Sequence, residues 1–493
     1  MRIFTYDGEL CRRSTKRRAV LFYLAQLPEW QRPTETDEAI VNEGHFIRVI
    51  QRKEVLTLAF GAMIGWSWVA LTGGWINEAG SVGAMVAFAI GGVTVILVGF
   101  TYAELAAAMP QAGGEHAYSY RALGRSASFL CTWAILLAYV SVVTFEAVAF
   151  PTVIEYLAPD FSRGYLWTVA GWDVNATWVA AGVAAAVVMT AINVIGIKTA
   201  ARVQMLVTTL ILLAGVTLMS GALVSGQSTN MQPLFTDSYK GILGVLVIVP
   251  TMMVGFDVIP QSAEEIDLPF EVIGKLLMVS IVMAVAWYML IIWGVSMGLS
   301  GEERAAAALP TADATAALTG THWGGKLLIL GGIGGILTSW NAFLIGASRA
   351  VYALAHAGQL PTWLGALHPR FNTPHRAVIV IGVLSMLAPF FGRQTLVWLV
   401  DAGSFGVVIA YAFVALSFVV LRYREPNMPR PYRVHYWRAT GISAFVLSCA
   451  IGMLFMPFSP AALVWPYEWL IVGGWWLVGF LMMTYTAKSA VGE

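Results

Sequence analysis

Charge is what this 493-residue sequence has least of: 12% of its residues are Asp, Glu, Lys or Arg, against 58% hydrophobic. A soluble globular chain carries about twice that share of charge, so a soluble multidomain protein is excluded. The 29 Lys and Arg are balanced by 28 Asp and Glu, which leaves no basic excess to hold nucleic acid. Three cysteines, Cys11, Cys131 and Cys449, are too few and too scattered for a disulfide framework or a paired-cysteine metal site. Of the seven histidines, His45, His116, His356, His368, His375 and His435 fall in loops or at helix ends. They give no HExxH and no intramembrane Ser-His pair, so neither a metal nor an embedded hydrolase is expected. There is no Walker motif either, so ATP and other cofactors are not expected to take part.

What is present is a series of long apolar runs broken by Pro, Gly or short charged strips. Runs of about 17 to 30 residues are long enough to cross a bilayer as helices. Twelve are predicted, at 54–76, 82–109, 127–157, 175–196, 201–225, 241–264, 271–299, 324–355, 377–392, 395–421, 439–457 and 466–487. The expected fold is therefore an all-α polytopic membrane protein in contact with lipid. Residues 1–50 are polar and basic, with CRRSTKRR and one apolar stretch, AVLFYLAQL, about half the length needed to cross. They are expected to form a cytoplasmic arm. With the N-terminus inside, only Arg163, Lys240, Arg304, Lys326 and Arg393 fall in outward loops. The rest of the basic residues lie inside, which orients both termini toward the cytoplasm of a cell membrane.

Two spans carry residues that a lipid-facing helix avoids. The first reads GAMIGWSW over 61–68, and the sixth reads PTMMVGFDVIP over 250–260. Proline removes a donor and glycine weakens a helix, so both spans are expected to unwind halfway across. Unwound backbone at that depth is tolerated only where protein or a water-filled cavity satisfies it. Paired interruptions in corresponding positions of two halves point to a transporter binding site. The five-span separation predicts an inverted repeat, 51–226 and 240–421, followed by two more helices in 439–493.

Three blocks resemble the amino acid-polyamine-organocation permeases: YAELAAAMPQAGGEHAYSYRALG over 102–124, GFDVIPQSAEEIDLP over 255–269, and TSWNAFLIGASRAVYALAHAGQLP over 338–361. The resemblance implies a leucine-transporter-type fold with substrate held at mid-membrane between spans 1, 3, 6 and 8, and alternating access. It implies Ile64, Gly65, Trp66, Ser67, Gly255, Phe256 and Asp257 in the two breaks, with Phe343 opposite, as substrate contacts. The sequence departs from the family at Trp66-Ser67, where a small pair is usual, so a bulky ring is expected in the carboxylate cradle. It departs again at Ile211, where many members carry a Lys.

A charge at mid-bilayer costs at least about 2.5–3.5 kcal/mol, so each one needs a partner. Glu146 in span 3 either pairs with a substrate ammonium or packs between helices. Asp257 either faces the substrate or caps the second half of span 6. Glu264 and Glu265, near the cytoplasmic end, are expected to gate or to pair with Arg121, Arg125 or Lys275, and Glu104, at the inner end of span 2, to gate or to pack. Asp401 has no assigned role. Thr338 and Ser339 either help to bind a sodium ion or bond back to their own helix. The substrate is expected to be an amino acid or small amine, carried with H+, with Na+ or by exchange.

Overall fold

The computed structural model describes residues 48 and 50–489; the arm expected over residues 1–50 lies almost wholly outside them. The chain runs α1 (Arg52–Met63), α2 (Ser67–Ala70), α3 (Thr72–Ala79), α4 (Ser81–Ala108), α5 (Glu115–Leu123) and α6 (Arg125–Leu157). A hairpin follows, β1 (Tyr165–Val169) and β2 (Trp172–Asn175), then α7 (Ala176–Ile195), α8 (Ile197–Ser225), α9 (Ser238–Met252) and α10 (Val258–Gln261). The remaining helices are α11 (Phe270–Gly298), α12 (Gly301–Ala306), α13 (Pro310–Thr319), α14 (His322–His356), α15 (His375–Leu387), α16 (Thr395–Arg424), α17 (Trp437–Leu454) and α18 (Tyr467–Ser489).

Among the described residues nine helices are long and apolar enough to cross a membrane, and a tenth span forms if the pair Arg52–Ala70 and Thr72–Ala79 counts as one, bent by 65°. Ser238–Met252 and His375–Phe391 are shorter apolar helices. These helices form because hydrocarbon offers no hydrogen bonds, so each backbone group in an apolar run must be satisfied within the chain. The exterior agrees: Leu206, Leu223, Val224 and Leu470 are each at least 65% exposed. The protein is an integral membrane protein of all-α architecture. One element differs from expectation. The loop after α6 is an antiparallel two-stranded hairpin, closed by Ala170 and Gly171, both at positive φ, the turn geometry that matches strand twist.

Packing sorts the spans into a core and a periphery. The most apolar stretches of α6 and α14 are 89% and 83% buried, whereas that of α18 is 17% buried. Along their lengths α16 packs on α6, α8 on α14, α11 on α4, and α14 on α6. Small residues allow the close approach: Gly91 of α4 faces Val249 of α9, and Gly92 faces Val285 of α11.

Buried ion pairs tie one end of the bundle. Glu104 of α4 pairs with Arg422 of α16 at 2.6 Å and with Arg430 of the following loop at 2.9 Å, and accepts from the Val434 amide at 2.7 Å. Glu265 pairs with Arg349 of α14 at 2.8 Å. These partners are not those expected. Arg121 pairs instead with Glu425, Lys275 with Glu271, and Arg125 donates to Gly358 O. The turn at Ala263–Glu265 tucks under α14, where Arg349 is 1% exposed, so the guanidinium already buried there takes the carboxylate. Glu264 stays at the edge and accepts from the Ala112 amide at 3.0 Å.

Removing one partner of a buried pair leaves an uncompensated charge, which costs about 3–5 kcal/mol. Glu104→Ala is therefore expected to lower the melting temperature of the detergent-solubilised protein by many degrees, while Glu271→Ala, at an exposed pair, leaves it within about a degree. Differential scanning fluorimetry of the two variants checks this.

Candidate functional site

The first break falls where the glycine-rich run predicts it. α1 ends at Met63, Ile64 leaves the helical region at φ −110 and ψ 68, and the chain resumes as α2 at Ser67. The carbonyls around the break find side-chain donors. Gln204 Nε2 donates to Thr57 O at 3.2 Å, Thr338 Oγ1 to Gly61 O at 2.9 Å, and Tyr288 Oη to Met63 O at 2.9 Å. Thr72 and Thr311 both donate to Trp68 O, at 2.7 and 2.8 Å. Spans far apart in sequence thus hold the unwound segment in place.

The second break runs from Met253 to Asp257, between α9 and α10. Gly255 takes φ +131, and a Cβ there would stand 2.7 Å from Ala62 Cβ and 2.9 Å from Met63 N. The two breaks therefore touch, with glycine as the contact that lets them. Span 8 closes on the same point: a Cβ on Gly335 would lie 2.9 Å from Gly65 C and 3.0 Å from Ile64 O.

Where these segments meet, a cavity of about 30 Å³ is lined by Gly65, Ser67, Ser141, Glu146, Thr251, Ser339 and Phe343, with Leu399 and Val400 of α16 at one side. That volume holds a water molecule rather than an organic solute, so the conformation is closed. The Ser339 hydroxyl donates to Glu146 Oε1, while Glu146 Oε2, also buried, has no hydrogen-bond partner. Ser67 Oγ lies 3.2 Å from Tyr288 Oη.

Of the residues expected in the site, Gly65, Ser67, Glu146, Ser339 and Phe343 come together around this cavity. Ile64 sits behind it against Gly335. Trp66 does not fill the cradle: its ring turns to the face of α14 at Gly332 and is fully buried there, because the glycine has no side chain to exclude it. Phe256 points the other way, edge-on to Tyr102 at 5.3 Å and against Tyr411 at 5.7 Å. Asp257 stands at the cap position of α10 but makes no cap hydrogen bond; its Oδ1 instead accepts from the Gly255 amide at 2.9 Å, inside the break.

Thr338 and Ser339 serve both their own helix and their neighbours. Thr338 donates to Gly335 O at 3.0 Å as well as to Gly61 O, and Ser339 to Gly335 O at 3.0 Å as well as to Glu146. Sequence reasoning passed over Tyr288, an apparent belt aromatic, and Glu115, quoted within the 102–124 block without a role. Glu115 is buried, hydrogen-bonded to Gln261 of α10, and close enough to Asp257 to interact with it.

Two unwound segments beside a small, mostly apolar cavity that holds a buried carboxyl, inside a bundle of apolar helices, define a solute carrier. Residues 50–482 match the amino acid permease family, and the chain belongs to that family; it is a permease and not an enzyme. Among its relatives, the branched-chain amino acid permease BcaP of Bacillus subtilis is 24% identical over 77% of this chain and 82% of its own. The methylthioribose transporter of the same organism is 25% identical over 94% of this chain and 98% of its own. The human cationic amino acid transporter 4 is 25% identical over 78% of this chain and 61% of its own.

Gly255→Ala brings a side chain to a backbone conformation that disfavours one and pushes it into Ala62 and Met63. The combined strain and overlap amount to about 3 kcal/mol. The variant is expected to lose most solute uptake and to melt earlier, read by proteoliposome flux and thermal unfolding. Gly474→Ala, in open space on α18, is expected to change neither.

Proposed function

We propose that this permease carries an amino acid or a small organic amine across the cell membrane by alternating access, through the cavity between spans 1, 3, 6, 8 and 10. The observation that carries this reading is Glu146: a fully buried carboxyl whose second oxygen has no donor, set against the unwound backbone of span 1. Such a group is tolerated at mid-membrane only with a proton on it or a cation beside it. A substrate ammonium is that cation. The substrate's carboxylate then meets the helix ends at the breaks, which carry positive partial charge. Trp66, turned away, leaves the cradle open to it. Names among the relatives run from branched-chain to cationic amino acids, which supports the breadth of the proposed substrate class.

The proposed topology is twelve crossings, both termini cytoplasmic, in a five-plus-five inverted repeat over 51–226 and 240–421 with two added helices. Two of the crossings are the shorter apolar helices α9 and α15. The packing supports the repeat: the contact of spans 3 and 10 and that of spans 5 and 8 exchange when each span is renumbered by five. The bias of Lys and Arg supports the orientation.

For coupling, the geometry favours a proton carried on Glu146. A sodium ion coordinated by the oxygens of Thr338 and Ser339, whose protons go to carbonyls and to Glu146, is the alternative. Glu104, Glu264 and Glu265 act in this scheme as inner latches that break and re-form as the site changes sides.

Uptake by purified protein in liposomes, with pH and sodium gradients imposed separately and a panel of amino acids, putrescine and ethanolamine, tests the proposal. Glu146→Gln is expected to reduce uptake of the accepted substrate at least tenfold, and a pH gradient to drive it in the wild type. Normal uptake by Glu146→Gln overturns the ammonium-pairing model, and drive by sodium alone overturns the proton.

A further inference from the structure

Asp401, unassigned by the sequence, lies in a second and larger cavity. It measures about 330 Å³ and opens between α2–α3, α9, α16 and the segment joining α17 to α18. Three carboxylates line it, Glu78 of α3, Asp401 of α16 and Glu468 of α18, along with Trp75 and Phe455. No Lys, Arg or His is in the lining. Glu468 is 1% exposed. Its Oε2 accepts from the Val464 amide at 2.6 Å, whereas its Oε1 has no hydrogen-bond partner. Asp401 is close enough for the two carboxyls to interact. Facing carboxylates in a place so poorly solvated repel unless one holds a proton that it donates to the other or a positive group lies between them.

Among the described residues no three potential ligands converge tightly enough to hold a metal ion. The carboxylates line a chamber instead of meeting at a point, which suits a cation with a carbon body. Trp75 and Phe455 add apolar wall for such a body. Val400 lines both this chamber and the central cavity beside Glu146, so one side chain of α16 stands between the two spaces.

We propose that this acidic chamber is a separate binding site for an ammonium-bearing organic cation, a waiting position from which the ligand passes Val400 into the central cavity. The choice of an ammonium compound rests on the transport reading above; the chamber's cation preference stands on its own lining.

The test is equilibrium binding of radiolabelled putrescine to the purified full-length protein in detergent. Glu78→Gln is expected to weaken binding at the chamber about threefold or more, and the pair Asp401→Asn with Glu468→Gln more than tenfold. Glu146→Gln leaves this component within twofold, so it persists even if the central cavity proves not to bind an ammonium. Size-exclusion elution reports folding, and Glu78→Gln, on an exposed side chain, keeps the experiment decisive if the double variant does not fold. Unchanged putrescine affinity in Glu78→Gln and in a folded double variant overturns the proposal. So does displacement of putrescine by sodium chloride well beyond that by choline chloride at equal ionic strength, which would make the chamber a site for an inorganic cation.

Discussion

Every polar backbone group inside a bilayer must find its partner within the protein, and in this permease that requirement is met at two unwound segments by side chains from other spans. Gln204, Thr338, Tyr288 and Thr311 each donate to a carbonyl in or beside the first break. Those donors come from spans 5, 8 and 7 and from α13, so the break is the point at which most of the bundle is fastened. The second break needs less help, because the Asp257 carboxylate folds back onto the Gly255 amide. Contact between Gly255 and Ala62–Met63 then joins the halves, and the central cavity is what remains between them.

The buried carboxylates divide by whether a permanent counter-charge answers them. Glu104 and Glu265 have guanidiniums at hydrogen-bond distance, and together they clamp spans 2, 6, 8 and 10 at one end of the bundle. Glu146 and Glu468 have no cationic side chain beside them: Glu146 accepts from the Ser339 hydroxyl and Glu468 from the Val464 amide, with the Asp401 carboxyl close by. A protein that moves solutes needs both kinds: pairs that define each conformation, and unanswered groups whose partner comes and goes. Glu146 and Glu468 line two cavities that share Val400, whereas Asp257 and Glu115, each also with one unpartnered oxygen, line neither.

Much of this was legible in the sequence. The apolar runs, glycines 61 and 65, prolines 250 and 260 and the paired breaks are local features, and helices in hydrocarbon follow from local features because their hydrogen bonds are local. Gly65, Ser67, Glu146 and Ser339 could be nominated for the same reason, since a polar or small residue within an apolar run stands out by itself, whereas Phe343 came only from the family resemblance. Partnership was not legible. Whether Glu265 meets Arg121 or Arg349, whether Trp66 fills the cradle or turns to Gly332, and whether Asp257 caps a helix or folds into the break depend on which helix face meets which. Contacts between residues far apart in sequence decide the first two, 84 positions for Glu265 and Arg349, while Asp257 turns on a contact with Gly255 two residues away. Asp401 shows the limit most clearly: one acid near the start of an apolar run carries no message until α18 brings Glu468 beside it. The sequence by itself determined that the chain spans a membrane and where its helices give way, because the solvent imposes those outcomes segment by segment. Only the tertiary structure decided which buried charges are neutralised within the protein and which remain unanswered, because that depends on long-range packing.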